Sequence, residues 1–299
     1  MMFKYLLKAV LCCFILTKME AQTNQRIENL KEKIMLELQN GNGLFAVAFK
    51  DLATRETILI NDKISFHAAS TMKTPVLIEL YKQAAAGNFS LTDSLVVKNS
   101  FSSIVDGSEF TLDSADDSQL ELYRQVGQKK TIAALAYQMI IASSNLATNM
   151  MIELVKAENV MKTMKEIGAN DIQVLRGVED NKAFEKGLNN TTTAFDQLLI
   201  FEKMAKHQLI SRKACEEMIS ILLDQKFNEI IPAKLPGNVK VAHKTGSITG
   251  IQHDAGIVFL PGGKKYVLIL LSKFEGNEKK AQETMANISK LIYDYMSPQ

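Results

Sequence analysis

The sequence predicts an α+β fold, an antiparallel sheet flanked by N- and C-terminal helices with a large all-helical subdomain inserted into it. Three observations predict this. β-type runs cluster towards both ends of the chain, helical periodicity fills the middle, and an amphipathic helix stands outside each β cluster. The two β clusters can share one sheet only if the chain leaves it, builds the helical block and comes back.

The elements follow in order. "MMFKYLLKAVLCCFILTKMEAQ" carries Lys4 and Lys8, an apolar run from Ala9 to Thr17, and the small residue Ala21. It reads as a signal peptide over 1–21, too short for a stable membrane span. Lipid attachment at Cys12 or Cys13 is the less favoured alternative, since Val10 and Leu11 stand where small residues would be wanted. Next, Ile27, Leu30, Ile34 and Leu38 share one helical face that ends at Gly41 and Gly43. "LFAVAFKDLATRETILIN" is a hairpin, and from Thr74 to about Ile231 helical signals dominate, with "LATNMMIELVKAENVMKTMKEIGA" read as one helical stretch. The Ser-, Asp- and Gly-rich segment around Ser108 to Glu121 reads as an ordered surface excursion, either lining the cleft or merely a solvated loop, the second being favoured. "VKVAHKTGS", "HDAGIVFLP" and "KKYVLILLSKF" restore strand character, with a turn at Pro261-Gly262-Gly263. The last helix places Ala281, Met285, Ile288 and Ile292 on one side. Residues 22–299 are thus one domain, with an α/β part over 22–73 and 235–299 and a helical part over 74–234. The junction between the parts, where Ser70 departs and Lys244 returns, is a natural cleft.

Composition excludes several functions. At 299 residues with 46% hydrophobic content and net charge +2, the chain has no electrostatic footprint for nucleic acid. After the leader only Cys215 remains, so neither an internal disulfide nor a thiolate cluster is expected. His67, His207, His243 and His253 lack metal-ligand spacing, and His67 and His243 are expected to pack or support rather than ligate. No metal and no cofactor is expected, and nothing in the sequence fixes the oligomeric state.

The chemistry is carried by three short motifs. "STMK" is the one Ser-x-x-Lys of the sequence, "SSN" at 143–145 its one Ser-x-Asn, and "HKTGSITG" supplies Lys244-Thr245-Gly246 on a strand. Taken alone, Ser70 could be a helix N-cap, Lys73 a surface lysine, Asn145 a cap and Lys244 a strand-edge charge. At a helix start, however, a serine sits in the positive end of the dipole, and a lysine three residues on returns over the same face. That lysine can act as a base only if burial or a second cation, such as Lys244, lowers its pKa.

In this order and context the set resembles the serine β-lactamase and penicillin-binding protein family, within it the class A β-lactamase branch, over nearly all of the chain after the leader. The resemblance implies a β-lactamase/transpeptidase-like fold, attack of Ser70 on an amide carbonyl and hydrolysis of the acyl-enzyme. It also implies roles: Lys73 as base, Ser143 as proton relay to the leaving nitrogen, and Asn145 holding Lys73 or a substrate amide. Lys244, Thr245, Gly246 and Ser247 would form the substrate edge, with the N–H groups of Ser70 and Ser247 as oxyanion hole. The expected partner is a small-molecule β-lactam or a peptidoglycan stem peptide, met in the periplasm or outside the cell.

The pattern departs from the family at "VLRGVEDNKAFEKGLNNTTTA", where the family carries a water-activating glutamate. The neighbourhood of Arg176 favours Glu179, while the literal Glu-x-x-Leu-Asn spacing picks Glu185 ahead of Leu188 and Asn189. The short distance to Thr192 favours Glu179. Asn190 stands where the family's closing aspartate is expected, and Ser144 replaces the central aspartate of Ser-Asp-Asn. Three functions remain in competition: a β-lactamase, a D-alanyl peptidase or penicillin-binding amidase with slow deacylation, and a binding module without catalysis.

Overall fold

The computed structural model describes residues 25–297, so the leader read over 1–21 and its cysteines lie outside the described residues. Helix α1 over 25–40 buries Leu30 and Ile34, as their spacing predicts. The chain then enters β1 (Gly43–Asp51) and turns into β2 (Thr57–Ile60). After the short β3 (Phe66–His67), a 3-10 turn over Ala69–Met72 opens directly into α2 (Lys73–Ala85). The insert follows, with short strands β4 (Ser94–Val96), β5 (Phe101–Ser102) and β6 (Glu109–Phe110), the one-turn helix α3 (Leu120–Tyr123) and a further short strand β7 (Lys129–Thr131). Its helices are α4 (Ile132–Ile141), α5 (Asn145–Val155), α6 (Ala157–Ile167), α7 (Asn181–Glu185), α8 (Ala194–Ala205) and α9 (Arg212–Leu223), with β8 (Thr191–Thr192) ahead of α8. The insert is therefore mainly helical, with small two-stranded ribbons β4–β7 and β5–β6. The chain returns as β9 (Lys240–Ile248), β10 (Ile251–Phe259), β11 (Lys265–Phe274) and α10 (Glu278–Met296).

The five long strands form one antiparallel sheet in the order β2-β1-β11-β10-β9. Both faces are covered, which is why its strands read as nearly continuous apolar runs. Phe45, Val47 and Phe49 of β1 face α1 and α10, where they meet Ile34, Met285, Ile288 and Ile292. Ala46 and Ala48, between them, face the helical block. Small residues on that face let α8 lie across β1, β10 and β11. Each fully buried aliphatic or aromatic side chain contributes roughly 1.5–3 kcal/mol relative to exposure, so the sheet is clamped from both sides by the segments that bracket it in sequence. Among the described residues no helix is long and apolar enough to cross a membrane, and Cys215 is buried and unpaired.

The two-stranded ribbons depart from the all-helical expectation for the insert, and a helix departs as well. The stretch 146–169 is two helices, because the chain turns at Lys156, with φ 69° and ψ 132°. Only glycine adopts that region without strain, and a non-glycine residue there costs on the order of 1–3 kcal/mol. Lys156 is exposed, so nothing in packing requires the side chain. Lys156→Gly is therefore expected to raise stability by about 1 kcal/mol, a gain of a few degrees in Tm, read by thermal unfolding.

Candidate active site

The expected site residues converge where the 3-10 turn, the N-terminus of α5 and β9 meet. Ser70 caps neither its own turn, whose N-cap is Ala68, nor α2, whose N-cap is Met72, so the helix-capping reading of its hydroxyl is not the one the geometry supports. Ala69, ahead of it, is held at φ 44°, and its N–H donates to His67 Nδ1 at 3.0 Å. His67 thus supports the turn, and its carbonyl accepts from the buried His253 Nε2 at 2.9 Å. His243 is likewise structural, paired with buried Asp254 at 2.8 Å.

Lys73, one turn beyond Ser70, is fully buried and donates to Ser143 O at 2.6 Å, Ser143 Oγ at 3.2 Å and Asn145 Oδ1 at 3.0 Å. Lys244 reaches the same hydroxyl from the other side, at 3.0 Å from Ser143 Oγ, and also donates to Thr245 O. Ser143 is therefore the shared partner of two buried lysines. Burial pushes the Lys73 amine down to about 7, against the opposing pull of Asp117 and Glu179. Burial, then the charge of Lys73, holds Lys244 well below the ordinary lysine range. Near neutral pH Lys73 is accordingly available as a base.

β9 runs alongside the 3-10 turn at Gly246. A Cβ there would stand 3.2 Å from the backbone nitrogen of Ser70 and 3.1 Å from Thr71 Cγ2, so glycine is what lets the strand close on the backbone N–H of Ser70. Ser70, Ser143, Asn145, Thr245 and Ser247 line a cavity of about 440 Å³. A neighbouring cavity of about 300 Å³ shares Ser70, Asn145 and Ser247 and extends to Glu179.

Glu179 and Glu185 are separated clearly. Glu179 is half-buried, with Oε1 accepting from Asn145 Nδ2 at 2.8 Å and Oε2 from Asp113 N at 3.3 Å. Burial raises its carboxyl above the usual range, partly opposed by those hydrogen bonds. Glu185 is exposed at the end of α7. The Asn145 amide is oriented by chemistry, since its oxygen must meet the lysine and its nitrogen the carboxylate. It therefore connects Lys73 to Glu179.

Three supporting residues escape sequence reading. Asp117, buried in the excursion, accepts from Asn145 N at 2.8 Å, Leu146 N at 2.9 Å and Ser144 Oγ at 3.3 Å. It places a carboxylate at the N-terminus of α5, where Ser144 has replaced the aspartate of the motif. Asn149, one turn beyond Asn145, takes Val178 N at 2.7 Å and gives to Val178 O at 3.0 Å. Gly177 is required beside it, because a Cβ would stand 2.2 Å from Asn149 Oδ1. The Asn145/Asn149 spacing was the available signal. Of the two roles open to the excursion from Ser108 to Glu121, the structure shows the cleft-lining one: the segment is largely exposed, yet it contributes Asp116 and Ser118 to the cleft wall and the buried Asp117. Ser118 Oγ fastens it to Ala142 O, next to Ser143.

Lys73 also makes a stability prediction. Its folded value is about 7 and the unfolded one about 10.4, so between those limits the unfolded chain binds a proton that the folded chain refuses. Stability linked to this group rises from about pH 7 to 10.4 and is flat below. Lys73→Met is expected to gain stability relative to the parent at pH 7, by up to a few kcal/mol less the lost hydrogen bonds. The Tm difference should shrink by pH 10, which unfolding scans at both values would check.

With this geometry in place, comparison with known proteins agrees. The chain is 25% identical over 288 residues to Beta-lactamase VEB-1 of Pseudomonas aeruginosa, spanning 91% of this chain and 92% of that one. The crystal structure of a beta-lactamase from Chitinophaga pinensis superposes with a TM-score of 0.78 at 21% identity, covering 90% and 100% of the two chains. A mutant of PBP-A held as an acyl-enzyme with penicillin G superposes at 0.76 with 24% identity, covering 91% and 97%. These two likenesses establish the fold. Residues 26–296 match the beta-lactamase enzyme family, and the chain belongs to it.

Proposed function

We propose that this protein is a serine β-lactamase, opening the β-lactam amide through an acyl-enzyme on Ser70. The observation that carries the reading is the meeting of Lys73, Lys244 and Asn145 around Ser143 beside Ser70. Ser70 Oγ attacks the ring carbonyl as Lys73 takes its proton. The carbonyl oxygen becomes an anion held by the N–H groups of Ser70 and Ser247. The C–N bond then breaks, and Ser143 delivers its proton to the leaving nitrogen, recovering one from Lys73, while Lys244 stabilises the charge. Thr245, Gly246 and Ser247 form the edge along which the substrate lies. In the second half, Glu179 takes a proton from a water that attacks the ester carbon; the bond from that carbon to Ser70 Oγ then breaks, and the proton passes from Glu179 to Ser70 Oγ, restoring both groups. No metal or cofactor enters the scheme. A signal peptide over 1–21 would deliver the enzyme to the periplasm or exterior.

A second reading, a D-alanyl peptidase or penicillin-binding amidase acting on stem peptides, is favoured by one observation. Both Glu179 oxygens are already engaged, by Asn145 and by Asp113 N–H, which would slow deacylation.

Intact mass spectrometry with a penicillin, sampled from seconds to hours, separates the two. The parent protein is expected to show a transient adduct with accumulating product, Ser70→Ala neither. Glu179→Gln should acylate but lose about 10²–10³ in deacylation rate, with Glu185→Gln unchanged. A persistent adduct on the parent would mean the amidase reading, and no adduct and no product would end both.

A pH series tests the base. With Lys73 near 7, single-turnover acylation is expected to fall about tenfold for each unit below that value, because the ammonium form cannot accept the Ser70 proton. A flat profile down to pH 5 would remove Lys73 from the role.

A further inference from the structure

Beside the proposed substrate edge lies a polar group that the mechanism above does not use. Gln252 stands on β10 directly across from Ser247, is only 4% exposed, and still contributes to the wall of the cleft. Its Nε2 donates to Ser247 Oγ at 2.6 Å and to Glu278 Oε1, at the start of α10, at 2.7 Å. Its Oε1 accepts from Gln282 Nε2, one turn further along α10, at 3.4 Å.

The direction of these bonds is set by chemistry. A carboxylate oxygen offers lone pairs and no proton, so Glu278 holds the nitrogen side of the amide towards itself. An amide nitrogen carries two hydrogens, and here one goes to Glu278 and the other to Ser247. The Ser247 oxygen is therefore an acceptor on its inner side. Its own proton must point elsewhere, and the exposed Ser247 faces the cleft.

We infer that Gln252 is a positioning residue that makes the Ser247 hydroxyl a donor towards the cleft, and so selects substrates carrying a carboxylate at that edge. The inference rests on the proposed β-lactamase reading and adds what fixes the polarity of the substrate edge. Glu278 acts one step further back, by forbidding the flipped amide. A hydroxyl turned the other way would present lone pairs to an anion.

The test is a pair of variants with opposite hydrogen-bond sense. Gln252→Met removes the inner donor and leaves the hydroxyl free to rotate, whereas Gln252→Glu places an acceptor there and draws the Ser247 proton inward. For a chromogenic cephalosporin as free acid, KM is expected to rise about tenfold in Gln252→Met and about a hundredfold in Gln252→Glu. In both, kcat should stay within about twofold, because the lost contact is made equally in the ground and transition states. With the methyl ester of the same cephalosporin, followed as acylation of Ser70 by mass, parent and variants should agree within about threefold.

A loss in Gln252→Glu no larger than in Gln252→Met would overturn the inference. So would a loss carried by kcat, or one that persists with the ester, since a purely structural role moves all substrates alike. If the glutamate variant does not fold, the acid-to-ester ratio of Gln252→Met decides alone. A parent protein that neither acylates nor turns over would instead remove the β-lactamase reading, and this inference with it.

Discussion

Two lysine amines buried side by side are the constraint on which the rest of the structure depends. Taking an ammonium out of water costs several kcal/mol unless hydrogen bonds and opposite charge replace the lost hydration. Lys73 and Lys244 are both fully enclosed and both donate to one hydroxyl, Ser143 Oγ. Neither can be relieved by moving, because one belongs to the first turn of α2 and the other to the middle of β9. What remains is to lower the proton affinity, as burial does for both, and to surround the pair with acceptors. Asp117 and Glu179 face Lys73, and Asp254 acts on Lys244. A cluster that would be unfavourable as a stabilising device thereby holds an amine that can be neutral near pH 7 within one helical turn of Ser70, as the proposed mechanism needs.

The surrounding backbone is bent to make this possible. Ala69, Ser143 and Glu179 all hold positive φ, at 44°, 53° and 61°, in a region where a non-glycine residue costs on the order of 1–3 kcal/mol. Glycine would relieve the strain at 143 and 179 but would remove the groups the site is built from. Each strained residue is held by neighbours of fixed polarity: Ala69 by the His67 ring, Ser143 by Lys73 on its carbonyl, and Glu179 by Asn145 and Asp113. Strain concentrated at these points and countered from several elements is the pattern of a pre-organised site.

How much of this was legible follows from how local each signal is. The three motifs were readable because each is a contiguous run whose residue types are wanted together. The sheet was readable because its strands are buried on both faces and so nearly uniformly apolar. Asp117 was not, since it lies 28 residues ahead of the N–H it binds most closely and within a stretch whose composition says only that it is polar. Asn149 was not legible either, because its meaning depends on where Gly177 and Val178 cross α5. Between Glu179 and Glu185 only a preference was legible, because the Arg176 neighbourhood and the short distance to Thr192 point to one and the literal Glu-x-x-Leu-Asn spacing to the other. Geometry distinguishes them by burial and by the amide of Asn145, neither of which is a property of a motif. The break at Lys156 was invisible for a related reason: nothing in "VKAEN" signals a residue that must leave helical backbone without a glycine.

The loop carrying Glu179 shows what the altered family positions do physically. Where a charge pair would close the loop, Asn190 Oδ1 accepts from the N–H groups of Leu175 and Arg176, and its amide nitrogen donates to Arg176 O. Arg176 is released to bind the carbonyls of Leu188 and Gly177. Closure is thus made largely by bonds to backbone, which salt screens far less than an exposed ion pair. Asp180 adds a second fastening, to Ser103 Oγ and Ile104 N, both at 2.9 Å. A further anchor is α5, through Asn145 to Glu179 and Asn149 to Val178. The turn and helix that hold Ser143 against the two lysines therefore also fix the carboxylate on the opposite side of the cleft. In the proposed reaction both half-steps would be positioned by one short segment, 143–149, and Asp117 at its N-terminus is the carboxylate that holds it in place.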